Sequence, residues 1–414
     1  SDWRTILVAG LNSGGRGYYA LDVTNPMAPK ALWEFTNGTF CVTTDDPGNP
    51  SDDVTVPDFT APLGGDLKSD CHLGLSYGNP IIAKRNQDGK WVVLVTSGYN
   101  NNVNGGDGKG YLYMLDAATG VILRRFTTGI GTAASPSGLS KINGWATSAT
   151  LDNTVLAVYG GDLEGNLWRF DLDRSSPSYL QVTKIASLVN GSGQIQPITV
   201  KPELGEVDVS GYKKRIVLLG TGKFLEATDK TGPFITQSIY ALRDDLSAGP
   251  GPVISDVRNT TLVKPRQFTA GTDPDTRTVN PSDPAPNWST EYGWRIDLPD
   301  TGEHVNIDPQ LQLGTLVIAS NVPTSDTCTA GGYSYVNFLD YATGSYIPGA
   351  PGNMASTKIA SSVAVGINVI MLPGGKVVSI VTTADNQQLT KDTPTPPAGF
   401  GGKRVSWREL IRDQ

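Results

Sequence analysis

The sequence predicts an all-β fold of the β-propeller type, on three observations. One strand–turn–strand unit recurs along the chain, two of its copies stand about a blade's length apart, and the composition favours turns over helices. The clearest copy is "YGGDLEGNLWRFDLD", residues 159–173. A short apolar run leads into a Gly-flanked acidic turn, and the second run alternates large apolar with polar residues. Gly165 and Asn166 tolerate the positive φ of a tight hairpin, and Leu167, Trp168 and Phe170 suit a pleated, half-buried surface. Asp162, Gly165, Asn166 and Trp168 are therefore read as a structural blade turn.

In chain order the unit first appears as "RTILVAG" followed by "GRGYYALDVT", then as "WVVLVTSG" followed by "GKGYLYMLDAATG". After the copy at 159–173 come "KRIVLLGTG" with "QSIYALRDD" and "GTLVIASN" with "YSYVNFLDYATG". The segment "KVVSIVTTADNQQL" keeps only the first half. An Asp closes the second run at Asp22, Asp116, Asp171 and Asp340, with Arg243 in the remaining copy. Asp116 and Asp171 are about 55 residues apart, close to the ~40–50 of a four-stranded blade with a modest insertion. Such units bury their faces by packing radially on one another, which leaves only short edges.

The 48 Gly and 28 Pro in 414 residues fit many turns in one large all-β domain. "SWRELIRD" is the best helical candidate, with Ser406 as N-cap and Glu409 as capping-box partner. The chain is read as a single propeller domain over residues 1–414. Insertions lie at about 38–75 and 254–292, and a tail at about 391–414. The second insertion, centred on "VKPRQFTAGTDPDTRTVNPSDPAPNWSTEYGW", is too rich in Pro, Asp and Thr to supply a core and is expected to be a surface excursion. The strand-like opening suggests that the first blade or blades lie upstream.

With 33 Lys plus Arg against 40 Asp plus Glu, the net charge is −7, and no basic run offers the counterion release on which nucleic-acid binding depends. No window approaches the ~18 apolar residues of a transmembrane helix. Cys41 and Cys71 bracket an acidic, Pro-rich loop and are expected to form a disulfide if the chain is exported. Cys328 is left over.

Chemistry is sparse. The two histidines are His72, beside Cys71 in "SDCHLGLSYG", and His304 in "TGEHVNID". If Cys71 and His72 lie on a strand they point to opposite faces, which disfavours a nucleophile–base pair; His304 reads as a surface turn residue. No zinc or phosphate-loop motif occurs. For Ca2+, "NNNVNGGDG" places Asn100, Asn102 and Asn104 at alternate positions before Asp107, with a single carboxylate among them. Asp45, Asp46, Asp52, Asp53 and Asp58 read as a solvated acidic loop.

The motifs "WRTILVAGLNSGGRGYYALDVTNPMAPKALWEF", "LGLSYGNPIIAKRNQDGKWVVLVTSGYNN", "GDGKGYLYMLDAATG", "YGGDLEGNLWRFDL" and "GGKRVSWREL" together resemble the C-terminal β-propeller of the PilY/PilC family of type IV pilus tip proteins. The resemblance runs through nearly the whole chain in the same order. It implies a quinoprotein-like propeller, seven-bladed in the full family domain. It also implies export to the outer membrane, cell surface or pilus tip of a Gram-negative bacterium. The implied roles are pilus assembly, opposition to retraction and adhesion, with minor pilins and a host-cell or abiotic surface as partners. The segment matching the family's calcium loop, "NGWATSATLDNTVLAVYGG", retains Asp152 and Asn153 but lacks alternating carboxylates, and no Arg-Gly-Asp occurs. The alternative readings are a periplasmic assembly scaffold and a pyrroloquinoline-quinone dehydrogenase, to whose blade motif "MLDAATGVILRRF" is similar. Those enzymes commonly use adjacent cysteines, and none here are adjacent.

Overall fold

The structure, a computed structural model, describes residues 3–39, 41, 68–146, 151–247, 252–324, 331–359 and 362–397. Six sheets follow one another along the chain, and among the described residues the helical content is three short 3₁₀ turns. The first sheet is Ile6–Gly10, Gly17–Asp22 and Lys30–Thr36. The second is Ile81–Arg85, Trp91–Thr96, Tyr111–Asp116 and Ile122–Thr127, with Thr154–Val155 added parallel at its edge. The third is Ile142–Trp145, Ala157–Gly161, Asn166–Asp171 and Val182–Ser187. The fourth holds Glu203–Val209, Tyr212–Gly220, Ser238–Asp244 and Gly293–Asp297, and the fifth Gln310–Gln312, Thr315–Pro323, Gly332–Asp340 and Ser356–Ile359. The sixth is Ala364–Met371, Val377–Thr383 and Gln388–Asp392.

The strand period of two explains why runs such as "WVVLVT" are apolar throughout rather than alternating. Val92 and Leu94 pack with Val158 and Phe170 of the third sheet, while Val93 and Val95 pack with Tyr18 and Phe35 of the first. Leu316 and Ile318 likewise join the core shared with the fourth sheet, and Val317 and Ala319 the core shared with the sixth. Each inner sheet is covered on both faces by its neighbours, which is the packing of a β-propeller.

Tryptophans clamp neighbouring sheets together. Trp33, on the outer strand of the first sheet, donates its Nε1–H to the Ala117 carbonyl in the "DAATG" turn of the second at 2.9 Å. Trp294, on the Gly293–Asp297 strand of the fourth, donates to the Tyr341 carbonyl in the "DYATG" turn of the fifth at 3.0 Å. Asp116 and Asp340 brace these turns by accepting the backbone N–H two and three residues on and the Thr119 or Thr343 hydroxyl.

Three expectations are corrected. The sixth unit is not half a unit: Val377–Thr383 pairs antiparallel with Gln388–Asp392 through a turn, so residues 391–392 are strand and not tail. The 254–292 insertion is not a loose excursion. Val263–Arg266 adds a parallel strand to the fourth sheet, and the hairpin of Phe268–Ala270 and Thr276–Val279 extends the fifth, so the segment ties two sheets together. Its few apolar residues suffice because Val263 and Val279 are fully buried against a core that already exists. In the Arg243 copy, finally, the strand runs one residue further, and Asp244 supplies the carboxylate. The acidic cluster at 45–58, Cys328 and the Ser406–Glu409 helix lie outside the described residues.

Because successive strands run antiparallel, the connections sort onto two faces. The links between the second and third strands of the second to sixth sheets, the link between the first two strands of the first sheet, and those from one sheet to the next share one face; the 254–292 segment leaves from the other. Backbone hydrogen bonds knit the first set into a continuous rim: Leu163 N–H to Ser137, Ile198 to Asp162, Gly222 to Pro197, and Val305 to Thr221. No helix of the described residues is long and apolar enough to cross a membrane.

Candidate functional site

The rim carries the sequence-predicted groups. Cys41 and Cys71 form the expected disulfide, Cα atoms 4.8 Å apart across a separation of 30 residues. Asn37 holds this corner by donating its Nδ2–H to the carbonyls of Cys71 and Leu73 at 2.9 and 2.7 Å. Beneath it the buried Asp70 carboxylate accepts from Arg125 at 2.6 Å and from the Tyr113 hydroxyl at 3.1 Å, and lies 2.8 Å from His72 Nδ1. Burial pushes the Asp70 carboxyl up, but the His72 hydrogen bond and the Arg125 charge outweigh it and hold the group below its usual range. Cys71 and His72 sit in a turn and not on a strand, so their side chains do approach, Sγ to Nδ1 at 3.5 Å. The disulfide leaves Cys71 no thiolate, so the nucleophile–base pair is excluded for that reason rather than by strand geometry. Reducing the disulfide, or Cys41→Ser, is expected to cost about 3–4 kcal/mol from the loop-closure entropy of some 30 residues, read as the shift in urea unfolding with and without reductant. A change below about 1 kcal/mol would show that the corner holds without the bond.

The calcium-candidate loop forms the adjoining stretch of the rim. Asn100 and Asn104 adopt positive φ, 54° and 53°, and turn the chain sharply. Asn102 donates to the Ala133 carbonyl at 2.8 Å, and Asn104 donates to Asn37 Oδ1 at 2.6 Å. Asp107 accepts the Lys109 backbone N–H at 3.0 Å and the Tyr111 hydroxyl at 2.8 Å, with the Lys109 ammonium at 3.0 Å. Burial raises the Asp107 carboxyl and these donors more than offset it, so it is held below its usual range. Asn102 and Asn104 are engaged through Nδ2 only, so their Oδ1 atoms and an already hydrogen-bonded Asp107 carboxylate are what the loop offers, where calcium would ask for six to eight oxygens. The nearest approach of three His, Cys, Asp or Glu ligand atoms among the described residues is Cys41, Cys71 and His72, two of which are in the disulfide.

At the blade turn Gly165 has φ +72°, as the hairpin requires, but Asn166 does not share it and is the first residue of its strand. Its side chain serves instead: Nδ2 donates to the Asp162 carboxylate and Oδ1 accepts from Ser187 at 2.8 Å. Asp162 is buried and also accepts the Asn166 backbone N–H and the Trp168 indole N–H, both at 2.8 Å. No cation offsets its burial, and its carboxyl is pushed up to about 6 from 3.8. The folded state therefore binds this proton more tightly than the unfolded chain. The associated stability is fully present below pH 3.8 and is lost as pH rises through about 6. The loss is up to about 3 kcal/mol for some two pH units at ~1.4 kcal/mol each. Asp162→Asn is expected to flatten the stability-versus-pH curve between pH 4 and 6, and an unchanged difference between variant and parent across that window would refute the assignment.

His304 is not the surface turn residue that its sequence suggested. It is only 5% exposed, bridged through both backbone groups to Asn321 and stacked on Phe224 with ring centroids 5.4 Å apart. It lines a cavity of about 590 Å³ on the rim, together with Gln237, Phe234, Lys223 and Asp229. Nothing in "TGEHVNID" signals this, because the cavity is assembled from links of several sheets.

Comparison with known proteins gives these features a family. Residues 1–276, more than half of the chain, match the family described as the PilY1 beta-propeller domain. A type IV pilus biogenesis factor PilY1 homolog of Xylella fastidiosa is 28% identical over 366 residues, covering 83% of this chain and 22% of that protein. The type IV pilus biogenesis factor PilY1 of Pseudomonas aeruginosa is 27% identical over 379 residues, covering 83% of this chain and 29% of that protein. The chain thus spans under a third of the length of these curated relatives. The crystal structure of the Pseudomonas aeruginosa PilY1 C-terminal domain superposes with a TM-score of 0.68 at 23% identity, covering 95% of this chain and 82% of that one. On the match over residues 1–276, this chain belongs to the PilY1 β-propeller domain family.

Proposed function

We propose that this propeller is a non-enzymatic part of an exported type IV pilus biogenesis factor. In this reading it supports pilus assembly, opposes retraction and acts at the pilus tip or outer membrane of a Gram-negative cell as an adhesin. Minor pilins are its partners on the pilus side, and a host-cell or abiotic surface is its target. The observation that carries the proposal is the family match over residues 1–276. The Cys41–Cys71 disulfide fits an oxidising, exported setting, and long polar links on a rigid β scaffold are where recognition is commonly placed. Calcium at Asn100, Asn102, Asn104 and Asp107 is left out of this reading, because Asp107, the one carboxylate among them, already accepts from Lys109 and Tyr111.

Immunogold microscopy of piliated source cells, with a deletion strain as control, tests the proposal. Gold at filament ends and fewer pili in the deletion strain are expected. Label confined to the periplasm with normal piliation would overturn the pilus reading in favour of a periplasmic scaffold.

A further inference from the structure

The cavity beside His304 has a hydrogen-bonding character that the pilus reading does not account for. Its wall comes from five links on one face: residues 135–136, 163–164, 195–197, 223–237 and 302–304. At about 590 Å³ it falls within the roughly 300–1,000 Å³ of small-ligand sites. Much of the lining is apolar, from Leu163, Ile195, Phe234, Ile235 and prolines.

Two polar side-chain atoms of residues in this wall lack a partner, Nε2 of His304 and Oε1 of Gln237, whose residues are 5% and 7% exposed; both atoms are closed off from water, so a donor reaches them only once neighbouring side chains such as Phe234 shift. Both are acceptors. For His304 this follows from its other nitrogen. Nδ1 lies 2.9 Å from the Gly302 carbonyl oxygen, which can only accept, so Nδ1 carries the hydrogen and Nε2 of the neutral ring carries a lone pair. Burial holds the imidazole below its usual pKa and so favours the neutral ring. The ring is fixed by its stack on Phe224 and by the paired backbone hydrogen bonds to Asn321, so the acceptor is preorganised. Leaving a buried acceptor unpaired is unfavourable, and a ligand's donor would recover that cost. The charges around the wall point the same way. Lys223 is paired with Asp229 at 3.3 Å, which leaves the Glu164 carboxylate in excess.

We infer that this cavity is a binding site for an apolar amine: a ligand whose aliphatic or aromatic body fills the Phe234 and Leu163 side and whose ammonium donates to His304 Nε2 and Gln237 Oε1. An anionic ligand of the same body meets two lone pairs and a carboxylate excess, and is rejected. The inference does not depend on a pilus role, since it concerns the purified chain alone.

The chain has only two histidines, so histidine-selective 15N labelling reads the site directly. The probes are phenethylamine, 2-phenylethanol and hydrocinnamate, which share one apolar body and carry a cation, a hydroxyl and a carboxylate. Phenethylamine is expected to shift Nε2 of His304 while His72 stays in place, and to bind at least tenfold tighter than hydrocinnamate. Gln237→Leu is expected to weaken phenethylamine at least about fivefold and leave hydrocinnamate unaffected. Because Gln237 is buried, Phe234→Ala at the half-exposed rim serves as a second variant, expected to weaken all bound probes together. Equal affinity for the three probes would overturn the amine assignment, and no shift at His304 at millimolar phenethylamine would overturn the site itself.

Discussion

Arg169→Ala is expected to destabilise the propeller by about 3–5 kcal/mol, the range for removing one partner of a buried ion pair. The Arg169 side chain is fully buried in the third sheet, and its Nη1 donates to Asp244 Oδ1 of the fourth at 2.6 Å. Nη2 donates to the Ser247 carbonyl at 2.7 Å, and Asp244 accepts the Tyr159 hydroxyl at 2.7 Å. Burial lowers the Arg169 guanidinium pKa, yet the Asp244 carboxylate outweighs burial and holds it above its usual value. Truncating the arginine strands that carboxylate between two sheets. Arg169→Met with Asp244→Leu removes both charges and is expected to recover more than half of the loss, because the main penalty is the uncompensated charge. Guanidinium unfolding of the two single variants and the double supplies the cycle. Additive single effects would mean that the pair does not hold the sheets together.

Trp294→Ala is expected to cost about 3–5 kcal/mol, as for other buried large-to-small changes. Trp294 is fully buried, and its indole lies over Gly344, where an added Cβ would come within 2.5 Å of the ring. Gly344 has φ +66°, so Gly344→Ala meets both backbone strain and collision with the indole. Trp294→Phe keeps much of the packing and loses the hydrogen bond to Tyr341, so it is expected to fall between parent and alanine variant. Chemical denaturation followed by circular dichroism ranks the three. If Trp294→Ala lost less than about 1 kcal/mol, the clamp between the fourth and fifth sheets would be incidental.

The sequence by itself determined the strands and their hairpins. Runs such as "WVVLVT" and "NLWRFD", and the turn residues at Asp116 to Gly120 and Gly165, encode their conformations within a few neighbours. It also offered the Cys41–Cys71 pair, conditional on export, because the two cysteines bracket one polar loop, and the structure forms it. The tertiary structure alone decided what the links do. The 263–279 segment reads as a loop on composition, yet becomes strand where the open edges of two sheets meet its backbone. His304 reads as a turn residue, yet is buried where Phe224 and Asn321 converge. Asp244 finds Arg169 from 75 residues away, and Asp308 finds Lys141 from 167. The physical reason is one of range. Strand period and turn conformation are set by local sterics and hydrogen bonding, whereas burial, ion pairing and the shape of the rim depend on which sheets the packing places side by side.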